Sequence, residues 1–208
     1  MTASIPQTQP RPHGAAAVKL AASPSTNERR LFPGWRWVAV WLAFPVAGYI
    51  GWIVGGRVDA VGAALVGGAL TGAGIGAVQW WAADGKVGRP ASWIAASGVG
   101  FAVGLAAGAA LVGYDTDLGS LALMGVVTGA ALGAAQGLVL AHDGRRDLAA
   151  PWALAMPLLF SLGWSVASVT GIGVDDQFTV FGAGGALVFT LLSGLLLARL
   201  TPARPQAD

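Results

Sequence analysis

The chain has no cysteine, two histidines and a charged fraction of 11%. Without cysteine there is no disulfide framework, no thiolate metal site and no cysteine nucleophile. The histidines, His13 and His142, are far apart, and no HExxH, GxSxG or P-loop pattern occurs. The shortage of charge excludes more. Ordinary globular chains carry about 25% charged residues, whereas this one is 55% hydrophobic over 208 residues, a composition that fits a bilayer as solvent. Its net charge of +2 is small and its basic residues are spread over tails and loops, so no nucleic-acid surface is indicated.

Runs free of charge occur at residues 60–82, 91–112, 118–141, 151–171 and 178–198. Each approaches the ~20 residues that a helix needs to cross ~30 Å of hydrocarbon. The first span, Trp35 to Val54, holds only Arg36, at its very start, where the side chain can snorkel to the headgroups. Strands are a poor alternative, because the runs are long, rich in Ala and Gly, and show no period-2 alternation. The expectation is an all-α membrane protein of six transmembrane helices over residues 35–200. Residues 1–34 are rich in Pro, Ala, Ser and Thr and read as a disordered cytoplasmic tail. Their best apolar run, 15–22, is interrupted by Lys19, too short a core for a cleaved signal. Residues 201–208 read as a second cytoplasmic tail.

Orientation follows from Lys and Arg, because cationic loops resist translocation. With both termini in the cytoplasm, the inner segments hold Arg11, Lys19, Arg29, Arg30, Arg36, Lys86, Arg89, Arg145, Arg146, Arg199 and Arg204, and the outer loops hold only Arg57. The outer loops carry Asp59, Asp115, Asp117, Asp175 and Asp176 instead. Trp35, Trp37, Trp80, Trp81, Trp93 and Trp152 fall at the expected cytoplasmic helix ends and read as an interfacial aromatic belt.

The sequence also repeats. TGAGIGAVQ at 71–79 and TGAALGAAQ at 128–136 share Thr-Gly-Ala, Gly-Ala and the final Gln at an offset of 57. Beyond the next loop, Trp93, Phe101 and Gly104 correspond to Trp152, Phe160 and Gly163, and Trp37 and Gly48 lie 56 residues before Trp93 and Gly104. Pro33, Pro90 and Pro151 precede or open the odd-numbered helices, where a missing N–H is harmless. The six helices therefore read as three helical hairpins, about 35–82, 91–141 and 151–198. The third keeps a Gly-rich start, GAGGALVFTLLSG at 182–194, but has lost the Gln. Successive units run the same way through the membrane, so a pseudo-symmetry axis would lie along its normal.

The string G-A-x-x-G-A-x-Q-W at 72–80, followed by a short basic loop and W-x-x-A-S-x-x-G at 93–100, resembles uncharacterised bacterial polytopic membrane proteins with Gly/Trp-rich hairpin repeats. The resemblance covers roughly 35–198 and departs from the usual pattern at Gly137, where a Trp commonly follows the second Gln. It implies the hairpin architecture and a multi-pass place in a bacterial inner membrane. It carries over no catalytic residue and no cofactor.

Gly68, Gly72 and Gly76 recur every fourth residue, as do Gly100, Gly104 and Gly108, and Gly125, Gly129 and Gly133. Such ridges, a glycine zipper, let a neighbouring backbone approach closely; the alternative is a surface that a ligand approaches. Gln79 and Gln136 each stand seven residues after a ridge glycine, so their amides project from the Gly face. The bland reading is a buried interhelical hydrogen bond, worth about 0.6 to 2 kcal/mol; the sharper one is a polar solute site. Thr71 and Thr128 are expected to bond their own helix backbone. Asp59, Asp117 and Asp175 recur once per unit at the outer junctions. They are either an outer acidic ring for a hard cation or acids that the outer side simply tolerates. Pro45 and Pro157 lie within the first and fifth spans and should kink them.

No Asp, Glu, Lys or His stands at membrane depth, which counts against proton-coupled transporters, pumps and voltage sensors. An intramembrane hydrolase would lack its base, and HDGRRD at 142–147 reads as a solvated anchor. The first functional expectation is a non-enzymatic scaffold or subunit whose partners are the bilayer and another membrane protein. The alternative is a small permease or channel for a neutral solute, running between the hairpins past Gln79 and Gln136. A water-filled cavity reaching those amides would favour the second; a dry, close-packed centre would favour the first.

Overall fold

The computed structural model describes residues 35–170 and 178–201. Among the described residues there are six α-helices and no strand: α1 Val38–Gly55, α2 Val61–Ala82, α3 Pro90–Leu111, α4 Leu118–His142, α5 Arg146–Thr170 and α6 Ala183–Leu200. A turn of 3-10 helix at Trp35–Trp37 leads into α1. All six are long and apolar enough to cross a membrane. At 1.5 Å per residue, their 18 to 25 residues span about 27 to 37 Å.

Local chemistry sets several helix ends. Pro90 opens α3 at a position whose N–H would have no partner anyway. Asp117 caps α4, its carboxylate accepting from the N–H groups of Gly119 and Ser120 at 2.8 and 3.1 Å. At the other end of the bundle, Gly88 has φ +91°, and a Cβ there would meet Asp143 Oδ2 at 2.5 Å. That glycine lets the α2–α3 loop close onto the α4–α5 loop. There Asp143 accepts from Arg89 N at 2.9 Å, and Arg145 Nη1 donates to the Lys86 carbonyl at 3.0 Å. The expected solvated anchor at 142–147 is therefore also a clasp between two loops.

Two helices differ from their expected limits. α5 starts at Arg146, so Pro151 lies inside it. The bond that Pro151 cannot make would reach only the Asp147 carbonyl in the first turn, where water or a headgroup can replace it. α6 starts at Ala183, because residues 178–182 are held in a non-helical path by contacts to α1 and α2. Pro45 and Pro157 are both carried inside continuous helices.

Each helix packs on its neighbour in sequence, and α6, after packing on α5, returns to α1, closing a ring. The glycines set how closely. A Cβ on Gly104 would stand 2.7 Å from the Thr128 Cα, one on Gly125 2.8 Å from the Ser161 Cα, and one on Gly129 2.7 Å from the Pro157 Cα. Gly68, Gly72, Gly76, Gly100, Gly108 and Gly133 likewise face backbone or Cβ atoms of the adjacent helix. The ridges thus fasten the chain to itself. Other aliphatic side chains point outward: Leu138, Leu154, Leu158 and Val169 are each at least 70% exposed, as lipid-facing side chains should be.

The ring is filled rather than hollow. Phe44, Phe101, Phe160, Phe181 and Phe189 are all buried, with ring centroids 5.0 to 5.6 Å apart from Phe44 to Phe181 and Phe189, from Phe101 to Phe160, and from Phe160 to Phe181 and Phe189. Tryptophan corrects the aromatic-belt expectation. Trp35 and Trp81 do lie on the surface, but Trp37, Trp93 and Trp152 are at most 1% exposed and turn into the core. A buried indole supplies a large apolar surface to the core, and its N–H seeks an acceptor there. Trp37 finds the Thr190 carbonyl at 3.0 Å.

Candidate functional site: a buried amide and indole cluster

Gln79 projects from α2 and Gln136 from α4, each on the face carrying the ridge glycines, and both are at most 1% exposed. Between α2 and α4 lies α3, whose ridge leaves room for the side chains to meet across it. Gln136 Nε2 donates to Gln79 Oε1 at 3.2 Å and to Ser97 Oγ at 2.8 Å. Ser97 Oγ in turn donates to the Trp93 carbonyl at 2.8 Å, an i to i−4 bond within α3. On the other side of the amide, Trp152 Nε1 of α5 donates to Gln136 Oε1 at 2.8 Å. Gln136 is thus the hub that joins four helices, and its acceptor and donor ends are both engaged. The Trp93 ring lies 6.0 Å from that of Trp152, and its Nε1–H has no partner among the described residues.

Sequence reasoning placed the two amides here and missed three partners. Ser97 is four residues from Trp93, and Trp152 is 16 from Gln136, yet nothing in a chain of apolar residues marks an indole as facing inward. The nearest signal is positional: Trp152 matches Trp93 in the repeat, and each lies in the first two turns of a helix next to a Gln-bearing one.

Thr71 and Thr128 are not part of the cluster. Thr128 Oγ1 donates to the Met124 carbonyl of its own helix at 2.8 Å. Thr71 does not follow the same expectation: its hydroxyl donates to Thr179 Oγ1 at 2.7 Å, with the Ala47 carbonyl of α1 3.3 Å away. Thr179 donates further to the Gly48 carbonyl at 3.0 Å. These bonds pin the non-helical residues before α6 against the glycine faces of α1 and α2, which explains why the helix begins late. Thr179 was outside the sequence reading because hydropathy registers it only as part of an apolar run.

Of the three acidic positions, Asp59 and Asp117 fall within the described residues. Asp117 is occupied as the α4 cap; the Ser120 hydroxyl, 2.5 Å away, and the backbone N–H groups hold its carboxyl below the ordinary aspartate value. Asp59 N–H bonds the Arg57 carbonyl in the turn before α2. Asp175 lies outside the described residues. Among the described residues no group of three or more His, Asp or Glu side chains could hold a metal ion.

No protein-family model matches the chain, and neither a curated protein nor a solved structure is significantly similar to it. What fold and cluster define together is a class: an all-helical chain with six helices suited to a bilayer, closed around an aromatic and amide core.

Proposed function

We propose that the protein is a non-enzymatic membrane component, a scaffold or partner-binding subunit. The supporting observation is the state of its centre. The Phe44, Phe101, Phe160, Phe181 and Phe189 side chains close it at mid-depth, and Gln136 is saturated by Gln79, Ser97 and Trp152. A polar solute would have to break those bonds and displace the rings. Because the glycine ridges are spent within the chain, a partner would meet the Leu and Val faces or the loops instead.

The finer placement belongs to the same reading: three hairpin repeats, both termini in the cytoplasm, and the inner membrane of a bacterium. Arg36, Lys86, Arg89, Arg145, Arg146 and Arg199 share one end of the bundle, where they favour that orientation.

The test is solute flux in proteoliposomes, followed by light scattering with water, urea and glycerol. The expected permeability equals that of protein-free vesicles. A flux that Gln79→Leu with Gln136→Leu abolishes in a still-folded protein would instead establish the permease reading, with its path past these amides.

A further inference from the structure

Positive charge collects at one end of the bundle. Arg36, Lys86, Arg89, Arg145, Arg146 and Arg199 stand there with Asp84, Asp143 and Asp147, six cations against three carboxylates. All three carboxylates are engaged. Asp84 pairs with Arg36 at 3.3 Å, and Asp147 lies 3.9 Å from Arg145. Asp143 accepts from the backbone N–H of Arg89 at 2.9 Å, a bond that leaves the Arg89 guanidinium itself uncompensated. Among the described residues, the side chains of Lys86, Arg89, Arg146 and Arg199 make no ion pair.

The clasp between the two loops gathers three of these four. Arg145 Nη1 donates to the Lys86 carbonyl at 3.0 Å, Arg89 stands immediately before α3, and Arg146 is the first residue of α5. Because the loops are joined through backbone groups, the clasp fixes where the cations stand without neutralising them. Arg199, near the end of α6, takes no part in it.

Depth and surroundings identify the counter-charge. Trp35 and Trp81, 74% and 43% exposed, pack on each other at the same end, and exposed indoles sit at the headgroup level of a bilayer. Outward from the clasp, Val99 on α3, Leu138 on α4, and Leu154 and Leu158 on α5 are exposed, and these three helices pack side by side. They make an apolar wall that suits acyl chains. An anion held at headgroup depth above such a wall is a lipid phosphate.

We propose that the clasped loops, through Lys86, Arg89 and Arg146, bind the phosphate of an anionic phospholipid whose acyl chains run along the outward faces of α3, α4 and α5. The proposal does not rest on the scaffold reading: a chain that conducted solute would present the same loops, and the flux assay does not report on them.

The test is native mass spectrometry of the full chain in detergent, titrated with phosphatidylglycerol and, separately, with phosphatidylcholine of the same acyl chains. Both carry the phosphate, and only the first has a net negative charge. Phosphatidylglycerol should bind more tightly by about tenfold or more. Arg89→Gln and Arg146→Gln should each lower its affinity about fivefold and leave phosphatidylcholine unchanged. Neither side chain has an ion-pair partner among the described residues, so the unfolding midpoint by circular dichroism should stay at the wild-type value. Arg89→Lys with Arg146→Lys should retain the preference, as should Arg57→Gln at the opposite end. Arg199→Gln separates a site from diffuse charge: it should have little effect, and a loss equal to that of Arg146→Gln would overturn the proposal. Equal binding of the two lipids would overturn it too, and so would displacement of phosphatidylglycerol by inorganic phosphate at the same concentration, which would assign the loops to a free anion.

Discussion

Replacing Gln136 by Leu should destabilise the bundle far more than the same change at Gln79, although the two residues occupy matching places in the sequence repeat. Leu keeps nearly the volume of Gln, so packing is little disturbed. Gln136→Leu removes three bonds, to Gln79, Ser97 and Trp152, whereas Gln79→Leu removes one bond of 3.2 Å. Interhelical hydrogen bonds in membranes average about 0.6 kcal/mol each and reach about 1.7. The Gln136 change therefore predicts about 2 kcal/mol from bonds alone, rising toward 4 because Trp152 Nε1–H is left buried without an acceptor. The Gln79 change predicts about 0.6 to 1 kcal/mol. The double variant should cost about 0.6 kcal/mol less than the sum, since the single shared bond is then counted once. The assay is equilibrium unfolding in mixed dodecyl maltoside and dodecyl sulfate micelles, followed by circular dichroism. Equal losses for the two single variants, or a strictly additive double variant, would refute the hub arrangement.

Three further outcomes follow from other elements. Gly129→Ala places a Cβ against the Met156 carbonyl oxygen and 2.7 Å from the Pro157 Cα and should cost about 1 to 3 kcal/mol, because α4 and α5 must separate. Gly62→Ala in α2 meets open space and should stabilise by about 0.5 to 1 kcal/mol through helix propensity, as the same unfolding assay would register. For Asp117, the Ser120 hydroxyl and the backbone N–H groups lower the folded-state pKa. Its contribution is therefore fully present above the unfolded value of about 4 and is lost as pH falls through the lower folded value. The difference in melting temperature between wild type and Asp117→Ala should hold steady above that range and shrink below it.

How far the chain could be read in advance depends on which property carries the information. Span number and helical state are written in length and composition, since charge-free runs of that length have no other structure available in lipid. The glycine faces are legible for a related reason: a four-residue period of small residues has one packing consequence, and Gly72, Gly104 and Gly129 meet neighbouring backbones accordingly. From the same period the amides of Gln79 and Gln136 could be turned inward. The limits of α6 could not be read, because hydropathy weighs Phe178, Val180 and Phe181 as it would any helical residues. What holds them out of the helix is the hydroxyl of Thr179 on Gly48 and Thr71, more than a hundred residues away in sequence.

Tryptophan exposes the deeper difficulty. In water, a large apolar side chain is drawn inward and a polar one outward, so burial can be inferred from residue type. In a bilayer both sides of a helix meet apolar surroundings, and the sorting reverses in kind: here Leu154, Leu158 and Val169 face out, while Gln136, Thr128 and Ser97 are enclosed. An indole satisfies either location. At the interface its N–H bonds water or headgroups; inside, an acceptor from another helix can take that place. For Trp152 Gln136 offers that acceptor, and for Trp37 the Thr190 carbonyl does. Trp35 and Trp81 have no such bond among the described residues, and they pack on each other at the surface, 6.1 Å apart, with the Arg36 guanidinium over the Trp81 ring. Trp93 and Trp164 are buried with no acceptor among the described residues, so packing alone can enclose an indole; at Trp152 the acceptor adds to that packing, and removing it at Gln136 should leave the Trp152 N–H unpaired as well as weaken the fold.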